Sequence, residues 1–269
     1  MRRAWISFGC AALAAGMLAL ATAPAQGQGK AKGKGKGKAA EPYVSVPHDP
    51  RDLSGVWRRQ GGVLTMSNQV PPMTAWGKAR FDAAKPVYGP RAVPGGFGND
   101  PMSTCDPLGM PRNLFLEVSI HGMELVHAKD RIYQFFEWAH AYRVIWTDGR
   151  PLPTDPDPRW MGYSVGTWEG DTFVVRSNGF DERTWLDHFG NPVSDDMTLE
   201  ERYRRLDRDM LELKMVINAP KAYAQPWVSE TKTLRRDPGE MEEIFCVPTE
   251  EQRFNKLVRD PGSGITGKQ

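Results

Sequence analysis

The 269-residue sequence has only three cysteines and five histidines, and no two of them stand at zinc-ligand spacing. His121 and His127 are separated by strand-like sequence, about 20 Å if extended at ~3.3 Å per residue. That excludes a metal site built from neighbours in sequence and leaves only one assembled from scattered residues. The chain also lacks a basic excess in the part that folds. It carries +2 overall; Arg2 and Arg3 supply +2 and Lys30, Lys32, Lys34, Lys36 and Lys38 supply +5, so residues 39–269 carry −5. A mildly acidic globule is a poor nucleic-acid binder. A third absence concerns Gly162-Tyr163-Ser164-Val165-Gly166. It matches G-x-S-x-G, but a nucleophile elbow needs a helix after its serine. Here Trp168, a turn and another strand follow, so the match reads as coincidence. Neither a metal nor an organic cofactor is expected.

What is present begins with Arg2 and Arg3 ahead of an apolar run from Ala4 to Thr22, followed by Ala23-Pro24-Ala25. This is the pattern of a signal peptide over residues 1–25. An uncleaved anchor is the alternative, because the run is nearly long enough to span a bilayer. Cys10 lies inside the run rather than at its end, which argues against a lipoprotein anchor. A periplasmic or secreted protein is therefore expected. Residues 26–38 alternate Gly or Ala with the five lysines and cannot bury a core. With the Pro-rich lead-in to residue 51 they read as a flexible basic tether, solvated or in weak contact with an anionic envelope surface. Cys105 and Cys246 remain, a pair that invites a disulfide in an oxidising compartment and would tie the loop before the barrel to the last strand. Two buried thiols are the alternative.

From residue 52 the sequence reads as mainly β. Leu53 to Trp57 is a first strand. Thr74 caps a short helix over Ala75–Ala84, with Trp76, Ala79 and Ala83 on one face, and Lys85-Pro86 ends it. Residues 86–113 are rich in Pro and Gly, a long segment of the kind that is functional or disordered. Alternating strands then follow over Leu114–Ile120, Met123–His127, Arg131–Trp138, Tyr142–Thr147, Trp160–Trp168, Thr172–Asn178, Leu199–Leu206, Met210–Ile217, Val228–Leu234 and Glu243–Cys246. Turn residues separate many of them: Lys129-Asp130, Asp148-Gly149, Glu169-Gly170-Asp171 and Asp207-Arg208-Asp209. The spacing is that of an antiparallel meander that closes and so removes its own edges. Thr249 caps a terminal helix over Glu250–Val258, and residues 260–269 form a polar tail.

The hairpin Gly162-Tyr163-Ser164-Val165-Gly166-Thr167-Trp168-Glu169-Gly170-Asp171-Thr172, followed by Thr184-Trp185-Leu186-Asp187, resembles the pattern of an uncharacterised family of secreted bacterial proteins. The resemblance continues in Asp52-Leu53-Ser54-Gly55-Val56-Trp57, Pro71-Pro72-Met73-Thr74, Cys105-Asp106-Pro107, Trp146-Thr147-Asp148-Gly149-Arg150 and Pro220-Lys221-Ala222-Tyr223. It spans most of the chain from Asp52 to Cys246 and implies a lipocalin-like (calycin-type) barrel over residues 52–259, exported across the inner membrane. It implies no activity. Where many relatives read Pro-His-Ser, this chain has Pro192-Val193-Ser194, so no role of that histidine carries over.

Charged residues inside alternating strands are the candidates for chemistry. Glu137 shares a face with Tyr133 and Phe135, Arg143 with Ile145 and Thr147, and Arg176 with Val174. They are either polar anchors for a ligand, since a guanidinium pairs bidentately with carboxylates, or members of outward solvated faces. Trp146, Trp160, Tyr163 and Trp168 crowd the central hairpins, as core or as walls for a flat or apolar ligand. Asp187-His188 is a candidate acid/base pair, although neighbours on an extended segment point apart and the loop equally reads as anchored by Trp185. The expected role is binding of a small hydrophobic or aromatic ligand by Glu137, Arg143, Trp146, Tyr163, Trp168 and Arg176. A cofactor-independent acid/base enzyme using Asp187 and His188 is the second reading, and an envelope interaction module the third.

Overall fold

A computed structural model describes residues 47–115 and 121–265. The expected signal peptide, the lysine-rich segment and most of the strand expected over Leu114–Ile120 lie outside the described residues; Leu114 and Phe115 themselves belong to a 3-10 turn, Arg112–Phe115. Apolar alternation is realised as ten strands: β1 (Gly55–Arg59), β2 (Gly122–His127), β3 (Arg131–Phe136), β4 (Tyr142–Trp146), β5 (Tyr163–Glu169), β6 (Thr172–Asn178), β7 (Thr198–Asp207), β8 (Met210–Asn218), β9 (Trp227–Val228) and β10 (Lys232–Asp237). Among the described residues, helices accompany them, notably α1 (Ala75–Ala83) and α2 (Pro248–Phe254), the latter running on helically through Asn255–Arg259 and Asp260–Gly262.

Nine strands close into a barrel. β1 to β8 follow one another around the ring, and β10 closes it between β1 (Val56↔Asp237) and β8 (Leu234↔Leu211). β9 pairs with the far half of β8. The one strand expected over Val228–Leu234 is thus two pieces. Between them the Ser229 hydroxyl accepts from the Met215 N–H at 2.8 Å, and the side chain takes the place of a ladder carbonyl.

The hairpins are those their turn residues specify. At Glu169-Gly170-Asp171-Thr172 the first central residue, Gly170, has φ +60°, a left-handed conformation that costs glycine little. One pairing departs from the meander. β4 and β5 run parallel, and only through Ile145↔Ser164 and Trp146↔Val165. Parallel neighbours require a connection that runs back along the barrel, and residues 147–162 provide it. The registers then sort the other connections. Tight turns at 128–130, 170–171 and 208–209 share one end; the long connections 60–121, 137–141, 179–197 and 219–231 share the other.

Inward side chains fill the ring. Trp57, Met123, Phe173, Tyr203, Leu213 and Leu234 belong to one continuous buried cluster, as expected for a small barrel whose interior is packed by its own residues. Trp57 Nε1 donates to the Leu53 carbonyl at 2.9 Å, which satisfies the indole within the core. Thr74 caps α1 as expected, accepting from the Gly77 N–H at 3.1 Å. The buried face of α1 centres on Gly77, however, and Ala79 and Ala83 are exposed.

The C-terminal segment differs from expectation in three places, one being that Asp260–Gly262, expected in the tail, is helical. Glu243–Cys246 is no strand; only Ile244 makes a bridge, parallel to Trp138. α2 begins at Pro248 after Val247, rather than behind a Thr249 cap, because proline at a first helical position gives up no useful N–H. Cys105 and Cys246 are bonded, their Cα atoms 5.5 Å apart. The bond fastens the 3-10 turn Pro101–Thr104 to the coil before α2, and Asn255 adds a hydrogen bond to the Ser103 carbonyl at 3.1 Å.

Candidate functional site

Toward the long-loop end, β4 and β5 part company. Beyond the two paired positions the backbone turns at Met161-Gly162, where Gly162 has φ +64° and a Cβ would lie 2.7 Å from the Asn178 carbonyl. The parting leaves a cleft of about 710 Å³ in the barrel wall, bounded on its outer side by residues 150–153 of the return connection. Trp146, Trp160, Met161 and Tyr163 supply much of its lining. Guanidinium groups lie over three of its rings: Arg150 is 3.4 Å and Arg131 is 3.9 Å from the centre of Trp146, Arg159 is 4.1 Å from that of Tyr163, and Arg183 is 4.6 Å from that of Trp160. Arg150 and Arg183 are also held by Asp148 and Asp181, at 2.5 and 2.6 Å. Arg159 has no carboxylate partner among the described residues.

Of the six residues expected to bind a ligand, Arg143, Trp146 and Tyr163 come together here. Arg143 reaches the cleft only from the barrel side. Its Nη1 and Nη2 donate to Glu201 at 2.8 and 2.5 Å and its Nε to Gln134 at 2.7 Å. Tyr203 donates to the same carboxylate at 2.7 Å, and burial pushes its phenol well above the ordinary value, so that it remains a donor. Arg143 therefore serves the interior first.

The other three lie apart. Glu137, just past β3, is covered by the segment leading to α2. It accepts from Arg58 at 2.9 and 2.7 Å and from the backbone N–H groups of Gly122 and Glu242 at 2.6 and 3.1 Å. Burial alone would raise its pKa; Arg58 and those N–H groups outweigh it and hold the carboxyl below the usual range. Arg176 is exposed and pairs with Glu200 and Glu169 at 3.1 and 3.4 Å, on an outward face. Trp168 packs against Phe173, ring centres 5.0 Å apart. Ser164, the serine of the G-x-S-x-G match, points inward to Ser177 at 2.8 Å, and its strand continues through Gly170 into β6 with no helix.

Asp187 and His188 face different surroundings. Asp187 is fully buried and accepts from the Thr65 hydroxyl, Asn191 Nδ2 at 2.8 Å, and the N–H groups of Phe189 and Asn191 at 2.9 and 3.3 Å. Burial still raises its pKa against these donors. His188 lies against Tyr88, ring centres 5.3 Å apart, and lines a smaller cavity with residues of the C-terminal segment. Sequence reading missed Arg159 and most of the return connection; it named Trp160, but as the start of a strand that in fact begins at Tyr163. A signal was there: sixteen residues separate Trp146 from Tyr163, including Pro151, Pro153, Pro156 and Pro158, far more than a hairpin needs.

Together these features define a closed, lipocalin-like β-barrel with a packed interior and an aromatic cleft in its wall. No family model, no curated protein and no solved structure matches the chain, so its own residues carry the functional reading.

Proposed function

We propose that the protein binds an apolar or aromatic small molecule in the cleft between β4 and β5, outside the cytoplasm. The observation that carries this reading is the cleft itself: about 710 Å³ with a mainly apolar lining that includes Tyr142, Trp146, Trp160, Met161 and Tyr163, within the size range of small-molecule sites. Rings already stacked on guanidinium groups are held in place, so a flat ligand meets walls that need little ordering. The signal-like N-terminus and the Cys105–Cys246 bond support the extracytoplasmic setting. Calorimetric titration with the neutral probe N-phenyl-1-naphthylamine tests it. Trp160→Ala and Tyr163→Ala are each expected to weaken binding about 3–10-fold, the worth of one aromatic contact, while Val228→Ala, exposed on β9 and outside every cavity lining named here, leaves it unchanged. Equal affinity in the wild type and both cleft variants would overturn the assignment.

A further inference from the structure

A second cavity, of about 580 Å³, lies at the long-loop end between α1, residues 65–73 and residues 86–91. Its walls are largely apolar, with Val70, Met73, Phe81, Tyr88 and Phe189 among them. Its polar groups have a definite sign. Among the described residues, the only charged side chains that line it are Lys78 and Arg91, and no carboxylate does. Lys78 is already held by Asp82 at 2.6 Å on the exposed side of α1.

Arg91 has no carboxylate partner among the described residues. Its Nη2 donates to the carbonyls of Phe81 and Ala84, at 2.6 and 2.8 Å, and so closes the end of α1. Its Nη1 is buried with no hydrogen-bond partner among the described residues. Asn191, also in the lining, is 2% exposed; its Nδ2 is spent on Asp187, and its Oδ1 is likewise buried with no partner among the described residues. Asp187 fixes which end of that amide is nitrogen, because a carboxylate accepts and cannot donate. Two residues of the lining thus carry an unused cationic donor and an unused acceptor, and buried groups of this kind are rarely left unbonded. The guanidinium carbon also lies over Phe81, 3.8 Å from the ring centre.

We infer that this cavity is a binding site for a small aromatic carboxylate bearing a hydroxyl group, with the carboxylate on Arg91 and the hydroxyl donating to Asn191 Oδ1. A carboxylate supplies the acceptor and charge that Arg91 lacks, and a charge-assisted bond of this type is stronger than a neutral one. A flat ring matches Phe81, Tyr88 and Phe189. This site is separate from the wall cleft, and neither needs the other.

The experiment is calorimetric titration of the purified full chain with 6-hydroxy-2-naphthoate, its methyl ester and 2-naphthoate. The hydroxy acid is expected to bind at least tenfold tighter than its ester and tighter than the acid without the hydroxyl. Arg91→Met is expected to remove the preference for the acid, and Trp160→Ala in the wall cleft to leave it intact. Equal binding of acid and ester, no binding of the acid, or a preference that survives Arg91→Met would overturn the inference. Should Arg91→Met fail to fold, photolabelling of the wild type with a diazirine-bearing naphthoate decides: adducts on residues 65–91 or 189–191 support the site, and adducts confined elsewhere defeat it. A neutral probe bound in the wall cleft alone would leave the proposed function standing while this inference falls.

Discussion

Arg143 and Glu201 face each other inside the ring, each 3% exposed or less. A buried pair is weak evidence of net stability, but removing one partner strands the other charge, at about 3–5 kcal/mol. Glu201→Gln and Arg143→Met are each expected to lose that much in urea unfolding, and the double variant to lose less than the two combined. The sequence marks Arg143 and Glu137 as charges within apolar alternation. Their partners are not legible there, because Glu201 lies 58 residues beyond Arg143 and Arg58 lies 79 before Glu137; only ring closure brings them into reach. Lys232 was not singled out at all. It is buried, its Nζ donates to the carbonyls of Val63, Thr65 and Met66 at 3.0, 2.6 and 3.2 Å, and burial lowers its pKa from 10.5 to about 8. Between those two values the unfolded chain holds a proton that the folded protein has released, so stability rises with pH across that window. A comparison of urea unfolding at pH 8 and pH 10 is expected to show a rise in the wild type that Lys232→Met lacks.

At the scale of elements, what was legible was local. Hairpins announced themselves through turn residues and period-two alternation, and α1 through its Thr74 cap, since each signal lies within a few residues of its effect. The parallel β4–β5 pair was not legible: strand direction depends on where residues 147–162 lead the chain, and no local pattern records that. The buried face of α1 escaped for a related reason. Gly77 carries no side chain to mark it, yet it is where the helix meets residues 219–223; a Cβ there would stand 2.9 Å from the Ala222 carbonyl carbon. Two effects oppose each other in Gly77→Ala. Helix propensity favours alanine by up to about 1 kcal/mol, and overpacking against backbone costs about 1–3 kcal/mol. The packing cost is expected to win, with a net loss of about 1–2 kcal/mol in chemical denaturation.

For the molecule as a whole, the disulfide spans 141 residues. In the chain-entropy model so long a loop contributes up to about 4–5 kcal/mol. Cys105→Ser with Cys246→Ser is expected to lower the unfolding free energy by up to that amount, and limited proteolysis of the variant is expected to cut first within residues 238–262. The pairing was legible by elimination once Cys10 was assigned to the leader; its exact attachment was not, because Cys246 sits in coil rather than in a closing strand. The position of β10 has a further consequence, for biosynthesis. β1 is made among the first folded residues, but one of its two neighbours, β10, is among the last. A message cut short before Lys232 yields a product with two raw edges, one along β1 and one along β8, each a template for joining its like. The last strand thus seals both edges at once, and an incomplete chain leaves both open to pairing.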